Sequence, residues 1–214
     1  MKKIITLSVL LSVFTINLFS SNYEEVMATN IEKIYKAATP TELADLANQF
    51  QRIANVEKEK WMPGYYAAYC FTRATIVSNI NADEKHKYLD LAQAEINKTL
   101  KVTSEESEVY TLQALIYQLR ITDMSKGYKY SKLSLEALTV AEKLNPENPR
   151  IYYLKGSNTF HTPKMFGGGK EKAKPYLEKA AGMFENQKDS NKLLPTWGSA
   201  HCNNLLSQCK SEDK

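Results

Sequence analysis

The chain has 214 residues, 24% of them charged and 43% hydrophobic, with a formal net charge of +4. It is long enough to bury a sizeable core without disulfide staples. It carries no basic block, no RNA-binding signature and no zinc-finger spacing, so nucleic acid is excluded as the expected partner.

Met1-Lys2-Lys3 is a basic start, and Ile4 to Phe19 is almost wholly apolar. The run falls short of the ~20 residues that usually span a bilayer. With the small Ser20 and Ser21 after it, it reads as a signal peptide over 1–21, a retained anchor being the alternative. Val26-Met27-Ala28 offers a later cleavage site. No Cys follows the apolar run, so a bacterial lipid anchor is not expected there. The expected mature chain, 22–214, has a formal charge of +2 once Lys2 and Lys3 are gone. It would be periplasmic or secreted, with no membrane span after cleavage.

From Asn22 to Cys209 the apolar residues recur at helical spacing, and no alternating β-branched runs with Asn-Gly or Asp-Gly turns interrupt them. Thr39-Pro40 opens one helix, and Pro63 another. Asn81 or Asp83 can cap the next. Ser104 to Ser107 precedes the stripe Val109, Leu112, Ile116, Leu119. Asn145-Pro146 stops a helix, Pro149 opens one, Gly167-Gly168-Gly169 breaks the pattern, and Pro195 starts a last segment to about Gln208. This predicts about nine helices with short connections, hence antiparallel neighbours.

Within these helices a pair of small residues seven apart recurs: Ala47 and Ala54, Ala92 and Thr99, Ser134 and Ala141, Ala173 and Ala180. Each pair lies two turns apart on one face, where a neighbouring helix can come close. The stretch Glu136 to Leu154, EALTVAEKLNPENPRIYYL, resembles the end of one tetratricopeptide repeat running into the next. Ala141 falls at the late small position, Asn145-Pro146 at the stop, Tyr152 at the early aromatic, and Gly156 at the small residue where paired helices cross. KEKAKPYLEKA resembles a further second helix. The same frame places Ala114 and Tyr117, then Ala68 and Phe71, in the preceding first helices. The pairs step by 45, 42 and 39 residues, longer than the usual 34. The resemblance implies an all-α, right-handed solenoid of antiparallel helical hairpins with divergent repeats, closed by a C-terminal capping helix.

Such a fold would present a concave groove lined by outward positions of the first helices. The frame assigns Tyr65, Tyr69 and Arg73 from one unit, Gln118 from the next, and Tyr153, Phe160 and His161 from the one after. Tyr combines large contact area with a polar tip, which suits binding. Phe166, Gly167, Gly168 and Gly169 would sit at the groove's edge, the glycines allowing closure over a ligand. TPKMFGGGKEKA also resembles a loop of exported repeat proteins, including helper subunits of some solute transporters.

Catalytic and metal readings find less support. A P-loop would need Gly where Lys164 stands and Ser or Thr where Glu171 stands. His86, His161 and His201 have no partner at zinc-site spacing, and no nucleophile–base signature appears. Neither a metal nor a cofactor is expected, and the protein is not expected to be an enzyme. Cys202 and Cys209, seven apart, would lie about 10 Å apart on one helix, beyond the ~7 Å a disulfide allows. Either the helix ends before Cys209 or the two are unpaired; they and Cys70 read as buried small hydrophobes, with a disulfide left open. The expected function is a non-catalytic binding scaffold holding a protein or peptide in the groove. The alternative is a small-solute-binding helper of an envelope transport system.

Overall fold

The helices follow one another almost without pause. The structure, a computed structural model, describes residues 23–187 and 191–210; the signal peptide expected over 1–21 lies outside them. Its elements are α1 (23–36), α2 (Pro40–Val56), α3 (Trp61–Ala74), α4 (Ala82–Val102), α5 (Ser107–Leu119), α6 (Met124–Leu144), α7 (Pro149–His161), a 3-10 turn (Lys164–Phe166), α8 (Lys170–Asn186) and α9 (Ser199–Lys210). No strand occurs among the described residues, and no helix among them is long and apolar enough to cross a membrane. The fold is all-α, as the helical spacing predicts.

Local chemistry sets the boundaries. Thr39 Oγ1 accepts the Glu42 amide while the Glu42 carboxylate accepts the Thr39 amide, closing a capping box ahead of Pro40. Asn81, Asp123 and Asn148 cap α4, α6 and α7 with their side chains. α6 ends at Leu144, before Asn145-Pro146.

From α2 onward each helix packs on its neighbours in sequence, and α3, α5, α7 and α9 also touch in that order. α3 is central: every residue from Pro63 to Thr72 is buried. Of the eight paired small residues, seven are buried and Ala54 is half-buried. Thr99 meets a glycine across its crossing, and the α8 face that carries Ala173 and Ala180 brings Leu177 to another. A Cβ on Gly64 would lie 2.4 Å from Thr99 Oγ1 on α4, and one on Gly156 would lie 2.7 Å from Leu177 Cδ2 on α8. Both glycines therefore set how closely their helices approach. Gly156→Leu should overpack the α7–α8 contact and cost about 1–3 kcal/mol. A thermal melt superimposable on that of the parent would refute the close contact.

α9 differs from its expected start. It begins at Ser199, not Pro195. Leu194 turns back onto Asn191, Pro195 has a fixed φ, and Gly198 takes φ +111°, so residues 191–198 run as a non-helical strap. Trp197 and Leu205 are both buried. Cys202 and Cys209 lie on one continuous helix, and all three Cys are buried.

Candidate functional site

The strap bounds a groove with the C-terminal parts of α3, α5 and α7 and the length of α6 from Met124 to Thr139. The Tyr66 hydroxyl donates to Leu193 O at 2.8 Å, Thr196 Oγ1 donates to the Tyr35 hydroxyl at 3.0 Å, and Trp197 Nε1 donates to the Tyr65 hydroxyl at 2.7 Å. A residue far along the chain is thereby held over α1 and α3. The groove, open to solvent along α6, has a volume of about 1810 Å³, roomier than the ~300–1,000 Å³ of common small-molecule pockets.

Its floor is aromatic. The Trp197 ring stacks on Tyr69 (5.9 Å, 19°) and meets Tyr153 edge-on (6.4 Å, 74°). Tyr35 continues the row on one side and His201 on the other. Tyr69 and Tyr153 are nearly buried, and burial pushes both phenols well up, so they stay protonated. The facing wall is α6, which presents Met124, Tyr128, Ser131, Leu135 and Thr139 along one stripe. Met124 and Tyr128 are over four-fifths exposed. A lone exposed apolar side chain is ordinary, but a stripe of them facing an aromatic floor marks a binding surface.

Five of the seven residues assigned from sequence line this groove: Tyr69, Arg73, Gln118, Tyr153 and His161. Gln118 lies between the other groups, donating to Ser134 Oγ at 3.0 Å and to Leu154 O at 2.9 Å. Arg73 Nε donates to Ile34 O, clipping α1 to α3. Tyr65 departs from its expected place. It is fully buried behind Trp197, because its position faces the α3 core and its hydroxyl is taken by the indole. Phe160 meets the His161 ring edge-on and lies under the Lys170 ammonium, and it does not line the groove.

At the edge, Phe166 lines the cavity but Gly167, Gly168 and Gly169 do not. Their amides bond to Lys164 O, Pro163 O and Thr159 O. A Cβ on Gly168 would lie 2.1 Å from Thr162 O. The tripeptide is a tight connection with its amides engaged, so neither an open anion cradle nor a hinge is seen. The sequence reading missed Trp197, His201, Tyr35 and the α6 stripe. The stripe was detectable: residues 124, 128, 131, 135 and 139 keep a second helical register beside the core positions Ser134, Leu138 and Ala141.

Charge gathers at one end of the groove. Lys85 lines it half-buried with no ion pair among the described residues, and loss of water lowers its ammonium pKa. Nearby, Lys126 Nζ lies 3.1 Å from His86 Nε2 and 2.8 Å from Thr122 Oγ1, and it pairs with Asp123 at 3.2 Å. An ammonium can only donate, so His86 Nε2 accepts and the ring is neutral. Desolvation first, then Lys126 and Arg120, lower the His86 pKa against the opposing pull of Asp90 and Asp83. Its folded value lies below its unfolded one, so the unfolded chain binds the proton first. Stability from this group is full above about pH 6.5 and is lost as pH falls through the folded value. Urea midpoints between pH 7.5 and 5.5 should therefore fall more steeply in the parent than in His86→Gln. Equal slopes would refute the account. Among the described residues no cluster of three or more His, Cys, Asp or Glu could hold a metal ion.

No protein-family model matches the chain, and no curated protein matches it. Among solved structures it is similar to the HusA haemophore from Porphyromonas gingivalis, with 33% sequence identity and a TM-score of 0.79. The match covers 90% of this chain and 94% of that one. With one residue in three identical over nearly the whole of both chains, this protein belongs to the family of the HusA haemophore.

Proposed function

We propose that this protein is an exported haem carrier that holds its cargo in the groove between the Tyr69–Trp197–Tyr153 floor and the α6 stripe. The observation that carries the reading is an aromatic floor facing a wall that exposes Met124, Tyr128 and Leu135, in a chain of the haemophore's family. A planar macrocycle buries both faces between such surfaces. Its carboxylates would find Lys85 and Arg73 at the groove end. The small-solute alternative is thus preferred to a peptide or protein partner, binding is preferred to catalysis, and the haem is cargo. The helix order and the buried small pairs support a divergent tetratricopeptide-like stack over 22–214 as the scaffold. The basic start and apolar run over 1–21, expected to be a signal peptide, support export, to the periplasm or beyond.

Titration of the mature chain with ferric haem, followed by absorbance, tests this. Saturable binding at one site is expected. Leu135→Asp puts a charge against the apolar cargo at a partly exposed position. It should weaken binding at least tenfold, about 1.4 kcal/mol or more, with circular dichroism unchanged. No saturable change with the parent protein would overturn the proposal.

A further inference from the structure

We propose that Met124 is a peroxide-oxidation site through which the groove loses its cargo, its sulfoxide making the α6 wall polar where the macrocycle lies. The proposal rests on the haem-carrier reading and deepens it. Five methionines fall among the described residues. Met27 is fully buried, and Met62 and Met183 pack half-buried against the core. Met124 and Met165 are 82% and 81% exposed. A dissolved oxidant therefore reaches two of the five freely. Of these two only Met124 lines the groove, from the first turn of α6. Met165 stands in the 3-10 turn and is not part of the lining. The fold thus places one accessible thioether in the site and one outside it.

The chemistry needs only a peroxide. The thioether sulfur attacks one peroxide oxygen, so an S–O bond forms as the O–O bond breaks. The other oxygen leaves as water with both protons. Sulfur is oxidised by two electrons and the peroxide is reduced by two. A flexible apolar side chain becomes a polar one. Tyr128 and Leu135 continue the exposed stripe from Met124 along the groove wall. A sulfoxide in that stripe must shed its water to meet an apolar face, and an apolar face returns no hydrogen bond. The thiols do not compete. Only a thiolate reacts readily, and Cys70, Cys202 and Cys209 are buried. Burial pushes the Cys70 thiol well up and the Cys202 thiol up to about 11. Sulfoxide reductases reverse the change at methionine, so it is a switch and not only damage.

The full mature chain, Met124→Leu and Met165→Leu are treated with hydrogen peroxide, freed of it by gel filtration, and titrated with ferric haem. Peptide masses report which methionines have gained oxygen. Oxidation of Met124 and Met165 should outrun that of Met27, Met62 and Met183. The treated parent and treated Met165→Leu should bind haem at least fivefold more weakly than the untreated parent. Treated Met124→Leu should bind as the untreated parent does. Enzymatic reduction of the sulfoxide should restore the affinity of the treated parent. Met124→Gln, a polar side chain of similar length, should bind weakly without any peroxide. Met124 is exposed, so melting should be unchanged in each variant, which separates loss of binding from loss of fold. An equal loss on treatment in Met124→Leu, or full affinity in a parent whose Met124 is wholly oxidised, overturns the proposal and leaves the carrier reading standing. Failure of the untreated parent to bind haem overturns both.

Discussion

Arg150→Ala is expected to destabilise the protein by about 3–5 kcal/mol, the usual loss when one partner of a buried ion pair is removed. The Arg150 side chain is fully buried near the start of α7. Nη1 lies 3.0 Å from Glu108 Oε1 on α5, and Nη2 donates to Pro195 O on the strap. The guanidinium also faces the rings of Trp197 (5.3 Å) and Phe184 (5.7 Å). One side chain thus joins α5, α7, α8 and the strap. Its Nε finds no partner among the described residues, so they do not fully satisfy the site even in the parent. Removal would strand Glu108, whose pKa burial already raises against the opposing pull of Arg150.

The pH dependence of the loss has a definite sign. In the variant the Glu108 pKa should rise further. The folded state then binds a proton that the unfolded chain does not, so stability falls as pH rises above the ordinary glutamate value of about 4.3. The gap between parent and Arg150→Ala should therefore be wider at pH 7 than at pH 4.5. Urea denaturation at both pH values measures it. A loss under about 1 kcal/mol at pH 7, at the bottom of the range for a broken buried hydrogen bond, would show that the pair does not hold the strap. Replacing both partners by apolar residues should recover part of the loss, since an ion pair of this kind is costly to bury.

Trp197→Ala should cost a similar amount, about 3–5 kcal/mol, and should also abolish haem binding. Trp197 is 8% exposed and touches Tyr69, Tyr153, Arg150 and, through Nε1, Tyr65. Its loss removes the middle of the groove floor and leaves the Tyr65 hydroxyl buried without its donor. Trp197→Phe separates the two effects. The ring remains, so binding should persist. The lost hydrogen bond should cost about 1–3 kcal/mol. Melting curves give the stabilities, and haem titration gives the binding. If Trp197→Ala melts like the parent, or binds haem as tightly, Trp197 is not the centre of the floor.

The helices were legible because their signals are local. Thr39-Pro40, Asn81, Asn145-Pro146 and Pro149 act within one turn of themselves, through caps and fixed φ, so they mark boundaries whatever the chain packs against. The small-residue pairs and Gly156 were legible for a related reason. Helical period puts them on one face, and close packing leaves that face little choice of residue. The groove was legible only in part. A shared register found Tyr69, Arg73, Gln118, Tyr153 and His161, but it also included Tyr65 and Phe160. Register gives a direction from the helix axis, and it does not say which neighbour stands there.

The amino-acid sequence by itself determined the all-α class, most helix boundaries, the faces that pack and a helical position for each candidate site residue. Only the tertiary structure decided that residues 191–198 fold back over α3 and α7, that Trp197 covers Tyr65 and completes the floor, and that the second stripe of α6 faces a cavity. Tyr65 and Trp197 are 132 positions apart, and Arg150 reaches Pro195 across 45. Contacts at such separations depend on where whole helices sit, which is set by the sum of many packing choices. No local pattern around Trp197 encodes its partners, so the strap and the groove it bounds emerge only when the chain is folded.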